Sequence, residues 1–130
     1  MKVVPNCHYT KSHEWIRVEG DEGITGITDY AQGELSDVVY VELPETGDSF
    51  EKGEMYATVE SVKAAVDCYL PVGGEILAVN EVLEDSPELV NSDPYGEGWF
   101  ARIGIADPAE LDGLMDAAAY KAFCEEEGGH

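Results

Sequence analysis

Positive charge is scarce in this chain. Seven lysines and arginines stand against 28 aspartates and glutamates, a formal net charge of −21 over 130 residues. Gripping nucleic acid phosphates or an anionic membrane needs clustered Lys and Arg; no cluster exists, so neither is expected as a partner. The acidity itself admits several readings: solubility, a salty environment, or steering toward partners with basic docking surfaces. Long apolar runs are missing too, and no stretch approaches the length of a membrane span. Met1-Lys2-Val3-Val4-Pro5 lacks the features of a signal peptide. Cysteine is sparse: Cys7, Cys68 and Cys124 are odd in number and far apart, which argues against a disulfide framework. A reducing cytoplasm fits best, or a mitochondrial matrix if a transit peptide has been trimmed. His8, His13 and His130 with Cys7 form no metal-ligand spacing, so no metal site is expected. Nor is there a catalytic-triad order, a phosphate-cradling glycine loop or a dinucleotide fingerprint. The chain does not read as a free-standing enzyme.

What is present is a series of short alternating segments up to about Ala106. Glu14-Ile16-Val18, Val39-Val41-Leu43, Met55-Ala57-Val59, Val66-Cys68-Leu70 and Ile76-Ala78 follow the two-residue period of half-buried strands. Turn residues punctuate them at Gly20-Asp21-Glu22-Gly23, Pro44-Glu45-Thr46-Gly47-Asp48 and Pro71-Val72-Gly73-Gly74. Many short strands with such turns predict a sandwich or barrel. The polar stretch from Glu84 to Gly98 predicts an ordered loop with one helical turn at Pro87–Val90. Thr28 is placed to cap a short helix through Leu35. Asp107 caps Pro108 at a first helical position, with Leu111, Leu114 and Met115 following at helical spacing. A last segment, Ala117 to Glu127, puts Tyr120, Phe123 and Cys124 on one face, and Glu125-Glu126-Glu127 is expected to fray into solvent. One domain over 1–130 is expected, with its core at about 9–106 and a helical extension at 107–127.

One of the five lysines stands apart. Lys63 lies in Val59-Glu60-Ser61-Val62-Lys63-Ala64-Ala65, where strand alternation lapses between two strand-like segments. Glu54 to Leu70 therefore reads as strand, turn, strand with Lys63 at the tip. An exposed amine on a rigid hairpin is what an attachment enzyme needs, so covalent carriage of a prosthetic group leads the readings. Biotin and lipoate are both joined to lysines by amide bonds on such hairpins. Biotin acceptors usually lie between methionines; here Val62 and Ala64 flank the lysine, which favours lipoate.

At this point the chain resembles the glycine cleavage system H protein family. Glu60-Ser61-Val62-Lys63-Ala64-Ala65 is similar to its lipoyl-attachment signature, and Tyr9-Thr10-Lys11-Ser12-His13-Glu14-Trp15 to its N-terminal signature. Gly26-Ile27-Thr28-Asp29-Tyr30-Ala31-Gln32 resembles the family's short-helix segment, although many members have His in place of Tyr30. Asp37 to Pro44, Asp85 to Asn91 and Asp93 to Trp99 match in the same order. Gly73 departs from the usual Ser before Gly-Glu, in a turn where little effect is expected.

The resemblance implies a mainly β, lipoyl/biotinyl-type barrel-sandwich hybrid of two small antiparallel sheets, with a short helix near 28–35 and C-terminal helices after 107. It implies a monomeric, non-catalytic carrier with lipoate on Lys63, in the setting of Glu60, Ser61, Val62 and Ala64. Glycine decarboxylase, a pyridoxal-phosphate enzyme, would pass an aminomethyl group to the arm. A tetrahydrofolate-dependent aminomethyltransferase would collect it, and the flavoprotein dihydrolipoyl dehydrogenase would reoxidise the dithiol. A lipoate ligase or octanoyltransferase would load the lysine. The aminomethyl group needs shelter from water in an apolar cleft with groups that bind an amine. Ser12, Glu14 and Asp67 match the positions that the family places beside the loaded arm. Read without the resemblance, Glu14 and Asp67 could equally be solvent-facing strand residues. Cys68 reads as a small core residue, and Trp15 and Trp99 as core or cleft wall. Two other functions use the same features: a lipoyl or octanoyl relay donating to other acceptor domains, and an unmodified interaction module.

Overall fold

The computed structural model describes residues 2–128. Its nine strands are β1 (His8–Tyr9), β2 (Glu14–Glu19), β3 (Glu22–Ile27), β4 (Val38–Glu42), β5 (Ser49–Phe50), β6 (Met55–Ser61), β7 (Ala65–Tyr69), β8 (Gly74–Val79) and β9 (Ala101–Ile105). They form two antiparallel sheets, one ordered β1-β2-β3-β9-β8-β5 and the other β4-β6-β7. Ile16, Ile76 and Ile103 of the larger sheet meet Val41, Val59 and Cys68 of the smaller one in a shared core. The mainly β fold with two antiparallel sheets is the one expected.

The helices are α1 (Asp29–Leu35), α2 (Val82–Asp85), α3 (Leu89–Ser92) and α4 (Ala117–Gly128), with a 3₁₀ helix at Pro108–Gly113. The Thr28 hydroxyl caps α1 by accepting from the Ala31 N–H at 3.2 Å. Asp107 likewise accepts from the Ala109 N–H at 3.1 Å. Both caps follow from a short oxygen-bearing side chain two or three residues ahead of an otherwise unpaired amide.

Several expectations are corrected. The stretch 84–98 holds α3, which begins two residues later than expected, and the end of a further turn, α2, that the sequence reading missed. Leu114 and Met115 lie beyond the helix: the 3₁₀ turn ends at Gly113, and Met115 bridges to Tyr9 with N–O distances of 2.8 and 2.9 Å. The backbone of Tyr9 captures that segment before another turn can form. The acidic tail does not fray, because α4 runs through Glu125, Glu126 and Glu127. It is anchored by Tyr120, which stacks on Tyr9 at 4.5 Å, and by Cys124; both are buried in a second core with Cys7 and Trp15. Gly73 is buried, and a Cβ there would lie 3.2 Å from the Phe50 carbonyl oxygen and 3.3 Å from the Lys52 nitrogen. That position is tighter than an ordinary turn.

Alternation also fails where strands bulge. The β4–β6 register shifts between Val38 and Tyr40, and Val39 is exposed where the pattern predicts it inside. A shift between Met55 and Ala57 similarly leaves Met55 outside while Ala57 stays in the core. One extra residue changes the phase of a two-residue period, so an unbroken alternation that is right for Val41, Ala57 and Val59 is wrong for Val39 and Met55 across the bulge.

Candidate functional site

Lys63 sits at the tip of the β6–β7 hairpin, in the middle of the three-residue connection Val62-Lys63-Ala64. Type I′, the commonest tight hairpin turn, needs positive φ at both central residues, which a β-branched Val62 resists. Among the described residues only His13, Ser36 and three glycines have positive φ, so this tip is built differently. Ser61 closes it. Its hydroxyl accepts from the N–H of Lys63 at 3.2 Å and of Ala64 at 3.0 Å, and it donates to the Ala64 carbonyl at 3.2 Å. The Ser61 N–H donates to the same carbonyl at 2.8 Å, and the Val62 N–H donates to the Asp37 carbonyl at 3.0 Å. The tip is thereby tied to itself and to the residue preceding β4. The Lys63 side chain is exposed and, among the described residues, makes no ion pair. Glu60 is exposed in β6 opposite Ala65, and Val62 and Ala64 are exposed on either side of the lysine.

A cleft of about 180 Å³ opens further along β7, where Val66, Asp67 and Cys68 meet the start of β2 and helix α1. Ser12, Glu14 and Asp67 all line it, with Ile27, Leu35 and Val66 among the apolar walls. Glu14 is buried, which removes the reading of it as an exposed strand residue. Its Oε1 accepts from the hydroxyls of Thr10 at 2.7 Å and Ser12 at 2.5 Å, and its Oε2 from the Tyr69 N–H at 3.3 Å. Burial pushes the Glu14 carboxyl above the usual carboxylate range, and these three donors pull it partway back. Asp67 is exposed at the rim. The result is a half-open apolar slot with a buried carboxyl on one wall, an exposed one at its mouth and the Ser12 hydroxyl bonded to the buried one.

His13 and Tyr30 also line the cleft, and the sequence reading assigned them no role. His13 adopts φ 73°, a left-handed conformation uncommon outside glycine. Its ring stacks on Tyr30 at 4.6 Å, its Nδ1 lies 2.7 Å from the Tyr120 hydroxyl, and its Nε2 lies 3.2 Å from Glu127. The Tyr120 hydroxyl in turn lies 2.7 Å from that of Thr28, the α1 cap. Burial lowers the His13 pKa below its ordinary 6.5, with Glu127 and Glu34 acting in the opposite direction. Thr10, the second hydroxyl on Glu14, was also missed. The sequence signal for Thr10 and His13 was their place beside Ser12 and Glu14, and for Tyr30 its place in the Gly26–Gln32 block. Cys68 is buried beneath the cleft, and burial, Glu14 and Asp67 all push its thiol up, as suits a packing residue rather than a nucleophile. Among the described residues no group of three His, Cys, Asp or Glu could hold a metal ion.

An exposed amine on a stiffened hairpin, with a small polar-tipped cleft down the same strand, is the arrangement that a carrier of an attached group needs. Comparison with known proteins places it more narrowly. Residues 7–127 match the family model described as Glycine cleavage H-protein. The chain is 57% identical to the glycine cleavage system H protein of Thermus thermophilus over 98% of its own length and 99% of the relative's. It is 54% identical to that of Halothermothrix orenii over 97% and 98% of the two chains. A crystal structure of a glycine cleavage system H protein from Mycobacterium marinum superimposes with a TM-score of 0.85, at 32% identity, covering 97% of this chain and 99% of that one. The chain belongs to the glycine cleavage H-protein family, whose members are lipoyl carriers and not enzymes. These relatives are bacterial, and among the described residues no helix is long and apolar enough to cross a membrane.

Proposed function

We propose that Lys63 carries lipoate as an amide, and that the chain shuttles aminomethyl groups between the cytoplasmic enzymes of glycine cleavage. The observation that carries this reading is the fixed tip: an exposed lysine whose neighbouring amides are bound by Ser61, four residues before the Asp67 rim of the cleft. When bound, lipoate supplies the disulfide chemistry, taking the aminomethyl group from glycine decarboxylase, yielding it to the tetrahydrofolate-dependent aminomethyltransferase and being restored by dihydrolipoyl dehydrogenase.

The chain's own residues fit that group. Lys63 gives up its amine to the amide and acts only as a tether. Ser61 keeps the tip in one shape for the ligase or octanoyltransferase that loads it. Ile27, Leu35 and Val66 exclude water from the cleft, where an exposed aminomethyl group would otherwise hydrolyse. Glu14, ionised, holds an ammonium inside, and its desolvated setting makes that pairing stronger than it would be at the surface. Ser12 and Thr10 orient the Glu14 carboxyl through Oε1. Asp67 offers a second carboxylate at the mouth.

Intact mass after incubation with lipoate, ATP and a lipoate ligase tests the tether, beside a Lys63→Arg control. A gain of one lipoyl group in the wild type alone is expected. No gain, with a ligase proven on another acceptor, would make Lys63 an ordinary turn residue.

A further inference from the structure

The chain exposes eight large apolar side chains among its described residues, and six of them lie on β4, β6, β7 and the hairpin tip: Val39, Tyr40, Met55, Val62, Val66 and Tyr69. The six-stranded sheet, with twice the strands, exposes only Leu77. Scattered exposed apolar residues mean little, but a concentration on one small face does. Val66 belongs to the cleft. The rest are set outward by register. Directly opposed residues share a face of a sheet, so Tyr40, Glu60 and Ala65 form one exposed row, and Met55 and Tyr69 another. Between them run Glu42, Thr58 and Asp67. The β4 bulge turns Val39 out as well, and the Val62–Asp37 bond brings the tip beside the start of that strand. Strands β4, β6 and β7 contain no lysine or arginine, while Asp37, Glu42, Glu60 and Asp67 surround the apolar residues.

From this we infer that the outer face of the three-stranded sheet, centred on Val39 and Tyr40, is a docking surface for the enzyme that acylates Lys63, and that this enzyme presents an apolar recess with an Arg/Lys rim. The inference rests on Lys63 being the acceptor. Any enzyme that encloses its amine must also cover ground next to the tip. The Val39–Tyr40 edge is apolar ground continuous with that tip and outside the cleft. Its acidic border selects a basic partner, which sets approach and orientation more than final affinity.

The test is steady-state lipoylation of the full-length chain by a purified lipoate ligase with lipoate and ATP, where the Lys63 amine takes the acyl group and AMP and pyrophosphate leave. V39S/Y40S is compared with wild type and with L77S, an equally conservative change on the other sheet. The double variant is expected to raise KM about tenfold with kcat at saturation unchanged, while L77S leaves both alone. Wild-type KM should also rise with added salt. Equal KM values for V39S/Y40S and wild type would overturn the surface, and a salt-independent KM would overturn the basic rim. A wild-type dimer in solution that V39S/Y40S dissolves would assign the face to a second copy instead. Failure of wild type itself to load would refute the carrier reading, a result distinct from all of these.

Discussion

The two sheets share one core but divide the remaining work unequally. The larger sheet buries its central strands: Ile16, Ile76, Ala101 and Ile103 are fully inaccessible, and its glycines allow close backbone approach. A Cβ at Gly74 would run into the carbonyl oxygen of Gly104 across the β8–β9 pair. The smaller sheet is buried on one face only, bulges twice, presents the exposed Lys63 at its hairpin tip and, among the described residues, carries six of the eight exposed large apolar side chains on its strands and that tip. The cleft draws on both: Val66 and Asp67 come from the smaller sheet, Glu14 and Ile27 from the larger.

Substitutions can break that division or sharpen it. The largest effect is expected from Lys63→Arg, which should abolish lipoyl loading, seen by intact mass, while leaving the melting curve unchanged. Arginine cannot form the amide, and the exposed tip contributes little to folding. Next, Ile103→Ala in the centre of the larger sheet should lower unfolding stability in urea by about 2–5 kcal/mol through lost burial and a residual cavity. Its lipoylation rate should stay near wild type at temperatures where it remains folded. A loading defect in the folded Ile103→Ala protein would mean that the sheets are not functionally separate. Glu14→Gln should shorten the lifetime of the aminomethyl-loaded carrier, followed by ammonia release, with loading intact. Asp67→Asn should do the same to a smaller degree, being at the rim. An unchanged decay rate for either would remove that residue from the cleft's work.

The pH dependence is a smaller effect. Folding depresses the His13 pKa, so the native state takes up its proton less readily than the unfolded chain does. The resulting stabilisation is present above the ordinary histidine value of 6.5 and is lost as pH falls below it toward the folded value. Melting temperature should therefore decline on acidification through that window, and His13→Gln should flatten the decline. The smallest effect is expected at Ser61→Ala. That change removes the one hydroxyl that accepts from two amides at an exposed turn, where water replaces it, so it should cost about 1 kcal/mol or less while slowing loading severalfold.

Local chemistry made much of this legible before any coordinates. Thr28, Asp107 and the lapse of alternation around Lys63 each act within three or four residues, so their readings of cap, cap and hairpin tip needed no tertiary information. What was hidden depended on partners distant in the chain. Val39 and Met55 were placed inside because a two-residue period carries no mark of a bulge. Glu14 could be read as exposed because its burial requires Thr10, Ser12 and the Tyr69 amide, the last from another strand. Leu114 and Met115 look helical until Tyr9 claims their backbone. The cleft's three expected polar groups came from the family resemblance, and the sequence alone left two of them open.

The pairing of His13 with Glu127 has a practical side. The last turns of α4 look dispensable by composition, a run of three glutamates. Yet Glu127 in that run braces one side of the ring that walls the cleft, while Tyr120 in the first turn of α4 braces the other. An affinity handle or fluorescent fusion appended just past this helix would press on the brace, and a truncation before Tyr120 would remove it. Either could make a healthy carrier release its cargo early and be mistaken for a mutant of the cleft. Reporter groups for this protein belong on the far sheet, at an exposed position such as Leu77.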